Sequence, residues 1–201
     1  MHADVDLEAG ASAHFLSSRP SALGPVQGES PDAGPTFVLS GHVAVLPLLR
    51  GGAYVSHDFS PISGADLREI TGFGFSLRLF SPWPRGALRL WLGGGLGYSV
   101  AYAPGYTVTT RSAGPTPVTE LVSGTAGGYF EAPVGLGGSM RLSPSFELIG
   151  DMGVRIGFGF TGSMYNRGPT VSTSGLPTVG APAAGDDVAA VFLCLGAAFE
   201  L

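Results

Sequence analysis

Apolar and polar residues alternate with a period of two through most of the chain, the mark of strands whose two faces meet different surroundings. In the first segment Val5, Leu7, Ala9, Ala11, Ala13 and Phe15 share one face, while Asp4, Asp6, Glu8, Gly10, Ser12 and His14 share the other. A second strand over about 36–49 carries Phe37, Leu39, Val43 and Val45 on its apolar side. Arg50-Gly51-Gly52 reads as a short turn into a third strand, 53–60, whose polar face holds Tyr54, Ser56 and Asp58. A fourth sets Phe73, Phe75, Leu77 and Leu79 against Gly72, Gly74, Ser76 and Arg78. After the turn Pro82-Trp83-Pro84-Arg85-Gly86, a fifth places Leu88, Leu90, Leu92, Leu96, Tyr98 and Val100 opposite Arg89, Gly93, Gly95, Gly97 and Ser99, with Trp91 as the exception on the polar face.

The sixth strand opposes Phe130, Ala132, Val134, Leu136, Met140 and Leu142 to Glu131, Gly135, Gly137, Ser139 and Arg141. Ser143-Pro144-Ser145 turns the chain into the seventh, where Phe146, Leu148, Met152, Val154, Ile156, Phe158 and Phe160 alternate with Glu147, Asp151, Gly153, Arg155, Gly157 and Gly159. The eighth runs from Asp187 to the end, with Val191, Leu193, Leu195, Ala197, Phe199 and Leu201 on one side. Helical periodicity is not convincing anywhere. Stretches rich in Pro, Gly, Ser and Thr, about 17–35, 61–68, 103–125 and 163–186, read as long loops that alternate with the short turns. This alternation predicts an all-β fold, a closed eight-stranded antiparallel up-and-down transmembrane β-barrel, as a single domain over 1–201 with both termini at the short-turn end.

The same strand count serves a soluble, lipocalin-like carrier with an apolar interior and a membrane barrel with an apolar exterior. Residue size separates them. The polar face is crowded with Gly and Ser beside isolated Arg, Asp and Glu, which suits a tight interior; a solvated exterior calls for many more Lys and Glu. Charged residues make up only 12 % of the 201 residues, against roughly 25 % in soluble proteins. All ten basic residues are Arg. The apolar face runs over the ~9–11 residues that a tilted strand needs to cross a bilayer. Phe80, Trp83, Phe146 and Phe199 gather toward the turns, and Phe15, Phe37, Phe59, Tyr102, Phe158 and Phe160 toward the loops, in the manner of two interfacial girdles. Outer-membrane lipids are the implied surroundings.

The net charge of −5 argues against a nucleic-acid partner. A lone Cys194 forms no internal disulfide. Met1-His2-Ala3-Asp4 lacks a positive region followed by an apolar run, so no secretory signal is expected here and an exported protein is read in its mature form.

With these strands in place, the chain resembles the small bacterial outer-membrane β-barrels of the OmpA/OmpX/OmpW type. The most specific feature is the terminal strand, Cys194-Leu195-Gly196-Ala197-Ala198-Phe199-Glu200-Leu201, which fits the family's assembly signal at Gly196, Phe199 and Leu201. It departs in having Cys194 in place of a polar residue and Leu rather than Phe at the end. The resemblance implies recognition by the barrel-assembly machinery through this strand, an outer-membrane location in a Gram-negative bacterium and a monomer.

The inward ionisable residues are the one chemically interesting constellation. Arg78, Arg89, Arg141 and Arg155 share the polar face with Asp4, Asp6, Glu8, Asp58, Glu131, Glu147, Asp151 and Glu200. Counting out from Pro144 pairs Arg141 with Glu147, and counting from Trp83 sets Arg78 opposite Arg89, their charges met by carboxylates from the first and eighth strands. Since an unpaired buried charge costs several kcal/mol, the expectation is a lumen filled by a salt-bridge network. A passive path for small or apolar solutes is the alternative, one that OmpW-type barrels would allow. His57 with Ser60 is the nearest approach to a hydrolytic pair, and no motif surrounds it. No zinc spacing, phosphate loop or cofactor motif is present, and Gly93-Gly94-Gly95 lies within a strand. A structural or surface-interaction role without catalysis follows, with the loops' external partner open.

Overall fold

The computed structural model describes residues 3–16, 20–21, 24–25, 33–60, 68–82, 87–104, 106–110, 118–122, 125–162 and 187–200. Eight long strands form the barrel: β1 (Ala3–Leu16), β2 (Ala33–Leu46), β3 (Leu49–Ser60), β4 (Arg68–Phe80), β5 (Leu88–Ala103), β6 (Thr125–Ser143), β7 (Phe146–Gly162) and β8 (Asp187–Glu200). Each pairs antiparallel with its neighbours in the chain, and β8 closes on β1 from Asp4↔Glu200 upward. Closure leaves no open sheet edge among these strands, which a strand bundle in hydrocarbon requires.

The alternation sends the two faces to opposite sides of the wall. Leu7, Leu39, Phe75, Leu77, Leu96, Leu136, Met152 and Leu195 are exposed on the outside, Phe75 at 77 % and Leu195 at 70 %. Asp6, Glu8, Asp58, Arg68, Glu131 and Arg155 are buried inside. A carrier with an apolar interior has the reverse arrangement, so the soluble reading of the strand count does not hold.

Several boundaries differ from the sequence pattern. The β2–β3 turn is Pro47-Leu48, and Arg50-Gly51-Gly52 lies within β3. Pro47 cannot continue the ladder, and Arg50 continues the inward parity of Tyr54. The stretch read as a loop over 103–125 contains a two-stranded ladder, Tyr106–Thr110 with Val118–Val122, and Pro20–Ser21 pairs with Gly24–Pro25 in the first loop. Residues 33–35 and Arg68 belong to barrel strands.

Two aromatic residues leave the outer face. Phe80 follows the inward parity of Arg78 and packs on the buried Trp91, 5.4 Å between centroids. Phe160 turns inward because of a bulge, in which Phe130 pairs with Phe158 and Gly128 with Thr161, so that Tyr129 opposes two residues. Gly159 takes φ 67° there, a conformation that glycine adopts without penalty. The shift carries Phe160 onto Tyr129, Ile70 and Ala101. Phe146 and Phe199 stay outward near the turns, and Phe37, Phe59, Tyr102 and Phe158 outward near the loops. Trp83 lies outside the described residues.

Candidate functional site: the charged lumen

Every arginine whose side chain is described points inward: Arg50, Arg68, Arg78, Arg89, Arg141 and Arg155. Their partners arrive from several strands. At the turn end Arg50 meets Asp4, Arg89 donates to Glu147 at 2.9 Å, and Arg141 joins Glu147 at 3.1 Å to Glu200 at 2.7 Å. Arg141 and Glu147 are register partners across the Pro144-Ser145 turn.

Arg78 is the hub of the next layer. It contacts Asp6, lies 3.6 Å from Glu8 and 3.1 Å from Asp151, and sits 4.7 Å over the Trp91 ring, whose Nε1 donates to Asp151 at 3.0 Å. Trp91 thus fills the lumen, and Gly137 gives it room, since a Cβ on that glycine would meet the indole and the Asp151 carboxylate. Gly93, not Arg89, stands opposite Arg78. The connection between Phe80 and Leu88 is longer than a tight turn about Trp83, so the register slides by four residues and separates the two guanidiniums. Arg78 is met by the first strand as expected, and β7 supplies its further acid and the partner of Arg89 in place of the eighth strand.

Toward the loops the charge density falls. Asp58 accepts from Arg155 and Thr36 and has His14 Nε2 at 3.4 Å. Glu131 accepts from Tyr54 at 2.6 Å and Ser99 at 2.8 Å. Above them Arg68 bonds Ser60 at 3.2 Å, and Ile70, Ala101, Tyr129 and Phe160 form an apolar cap. Between the Arg78 and Arg155 layers lies a cavity of about 100 Å³, with Glu8, His42, Arg78 and Asp151 on one side and Tyr54, Arg155 and Cys194 on the other. A space of this size with polar walls is large enough for water.

Arg50, Arg68 and His42 are lumen members beyond those the pattern singled out; His14, Tyr54 and Glu131 lie on the inward face as expected, and the Tyr54–Glu131 bond is what the pattern did not give. The parity running back from Tyr54 was the available signal for Arg50. His57 lies on the outer face, bonded to Thr71 at 2.9 Å, while Ser60 is buried inside, so the pair cannot work together. Of the terminal signal, Gly196 abuts Leu7 and Glu8, where any Cβ would collide with the β1 backbone, and Phe199 faces outward against Phe146. Leu201 lies outside the described residues. Cys194 is buried in the lumen.

No protein-family model matches the chain, and no curated protein does. Solved structures do. The crystal structure of Neisserial surface protein A aligns over 98 % of this chain and 97 % of its own, at 14 % identity and a TM-score of 0.56. A major outer membrane protein from Thermus thermophilus aligns over 99 % of both chains, also at 14 % identity, with a TM-score of 0.54. The chain has the fold of a small outer-membrane β-barrel. In such a barrel the outward Leu, Val and Phe residues are the lipid-facing surface, and the inward charges are shielded from hydrocarbon by the wall itself.

Proposed function

We propose that this protein resides in a bacterial outer membrane, its turns toward the periplasm and its long loops outside, and serves a structural or surface-interaction role with its lumen shut at rest. The observation that carries the reading is the pair of charged layers across an inverted barrel: Arg78 with Asp6, Glu8 and Asp151, and Arg155 with Asp58. A through-path for hydrated solutes would have to break both. The His57 and Ser60 pair lends no support to catalysis, because the two side chains are on opposite faces. Assembly through the β8 strand and a monomeric state belong to the same proposal.

Planar-bilayer recording tests it. The intact protein is expected to show no steady large conductance. Steady conductance unchanged by Arg141→Ala, Glu147→Ala and Arg78→Ala would place passive solute passage first. The membrane assignment has its own check: the folded chain should need detergent and migrate differently on a denaturing gel before and after boiling. A chain monodisperse without detergent overturns it.

A further inference from the structure

Charge is unequally matched along the lumen. Among the described residues, the turn end holds six carboxylates, Asp4, Asp6, Glu8, Glu147, Asp151 and Glu200, against the four guanidiniums of Arg50, Arg78, Arg89 and Arg141. The acids outnumber the guanidiniums by two, and His42 is the further group that faces Asp4 and Asp6.

Three side chains at that end are arranged to take a cation. Asp4 and Asp6 lie on β1 and His42 on β2 as the register partner of Asp4, and all three are buried. One donor atom from each falls within 4.8 Å of the others. His42 Nδ1 is 3.6 Å from Asp4 Oδ1 and 3.5 Å from Asp6 Oδ2, too far for hydrogen bonds. The His42 Nδ1 to Asp4 Oδ1 separation is close to the edge of a coordination tetrahedron, roughly 3.4 Å for metal–ligand bonds of about 2.1 Å. His42 is 2 % exposed, and its Nδ1 has no hydrogen-bond partner; the same holds for Asp4 Oδ1 and Asp6 Oδ1.

We propose that Asp4, Asp6 and His42 form a binding site for a divalent first-row transition ion, with Zn²⁺ as the reference ligand. His42 Nδ1 and Asp4 Oδ1 supply two bonds, and Asp6, whose Oδ1 is free, supplies a carboxylate oxygen. The groups behind them are those that orient ligands in metal sites. His42 Nε2 is bonded to Ser76 Oγ at 2.9 Å, which leaves Nδ1 as the coordinating nitrogen. Arg50 holds Asp4 by Oδ2, and Arg78 and Ser40 hold Asp6 by Oδ2. Two oxygens and one imidazole, with no thiolate, suit Zn²⁺, Co²⁺ or Ni²⁺ rather than a soft ion. His42 also lines the central cavity, where water can complete the coordination. The ion would balance the surplus charge and join the start of β1 to β2.

The test uses the full chain folded in detergent, stripped with EDTA and titrated with ZnCl₂ or CoCl₂, with MgCl₂ as the hard-ion control. We expect one zinc per chain by elemental analysis after desalting, and a Co²⁺ ligand-field band without a sulfur charge-transfer band. His42→Ala should weaken binding by more than about 100-fold and Ser76→Ala by about 10-fold; His2→Ala should leave it unchanged. Asp4→Asn keeps the side-chain shape while removing one charge, and with Ser76→Ala it carries the test should His42→Ala not give the gel shift of a folded barrel. No retained ion in the unsubstituted protein, equal affinity in Asp4→Asn and Ser76→Ala, or loss of the ion in His2→Ala instead, each overturns the site.

Discussion

The two halves of the lumen are lined by different kinds of side chain. At the turn end four arginines and six carboxylates interlock, and Arg78 alone touches three acids and an indole. At the loop end, among the described residues, Arg155 meets Asp58, Arg68 bonds Ser60, Glu131 accepts from Tyr54, and Tyr129, Ile70 and Phe160 pack above them. Neutral donors satisfy much of what the loop-end acids need: Thr36 for Asp58, Tyr54 and Ser99 for Glu131. A carboxylate supported by hydroxyls tolerates the loss of its cation better than one whose neighbours are other carboxylates. The turn end should therefore depend on single residues, and the loop end on many.

Arg78→Ala should have the largest effect. It leaves Asp6, Glu8 and Asp151 crowded together without their shared cation, and removing one partner of such a buried set costs about 3–5 kcal/mol. Urea unfolding of the lipid-folded barrel in a Trp83→Phe background, followed by Trp91 fluorescence and by the gel shift, reads it. Arg155→Ala should cost less, about 2 kcal/mol, because Asp58 keeps Thr36 and His14, and what is lost is one charge-assisted hydrogen bond with the contact over the Phe192 ring. Equal losses from the two substitutions would break the distinction between the halves.

The strand pattern was legible because a closed barrel in lipid imposes one rule on its outer face, and the outward residues from Val5 to Phe199 obey it. What the pattern missed lies where the rule is interrupted. Phe160 faces inward only because Gly159 bulges the strand, and nothing in the alternation marks that glycine among its neighbours Gly153 and Gly157. The Arg78 register failed because a count from an assumed turn centre transmits any error in loop length to every pair on the strand. The Arg141–Glu147 contact was within reach since its turn is two residues long. The Asp4, Asp6 and His42 group was out of reach for another reason. His42 is 38 positions from Asp4 and 36 from Asp6 across a long loop, and only the register of β2 on β1 makes them neighbours.

Gly137→Ala sharpens the comparison from the packing side. A methyl group there meets Trp91 and Asp151 and would push the indole off Arg78, so the turn-end layer should loosen without any change of charge. Overpacking of this kind is expected to cost about 1–2 kcal/mol, with a shift in Trp91 emission as its signature. An unshifted emission maximum would mean that the layer is held by ion pairs alone.

The smallest effect is expected from Arg141→Ala, although Arg141 makes two ion pairs within 3.1 Å. Its side chain is 39 % exposed at the turn rim, where water screens both contacts. Glu147 keeps Arg89 at 2.9 Å, so the substitution leaves no bare charge in the interior. The loss should stay below about 0.5 kcal/mol and shrink further in salt, as exposed pairs do. The double substitution Arg141→Ala with Arg89→Ala removes that reserve and strips Glu147 of both cations. Unfolding curves for the two single variants and the double variant then form a cycle: a double loss larger than the sum of the singles means that Arg89 and Arg141 substitute for one another at the mouth. A strictly additive result would instead make the rim a set of independent contacts, and confine the turn end's dependence on single residues to the Arg78 layer.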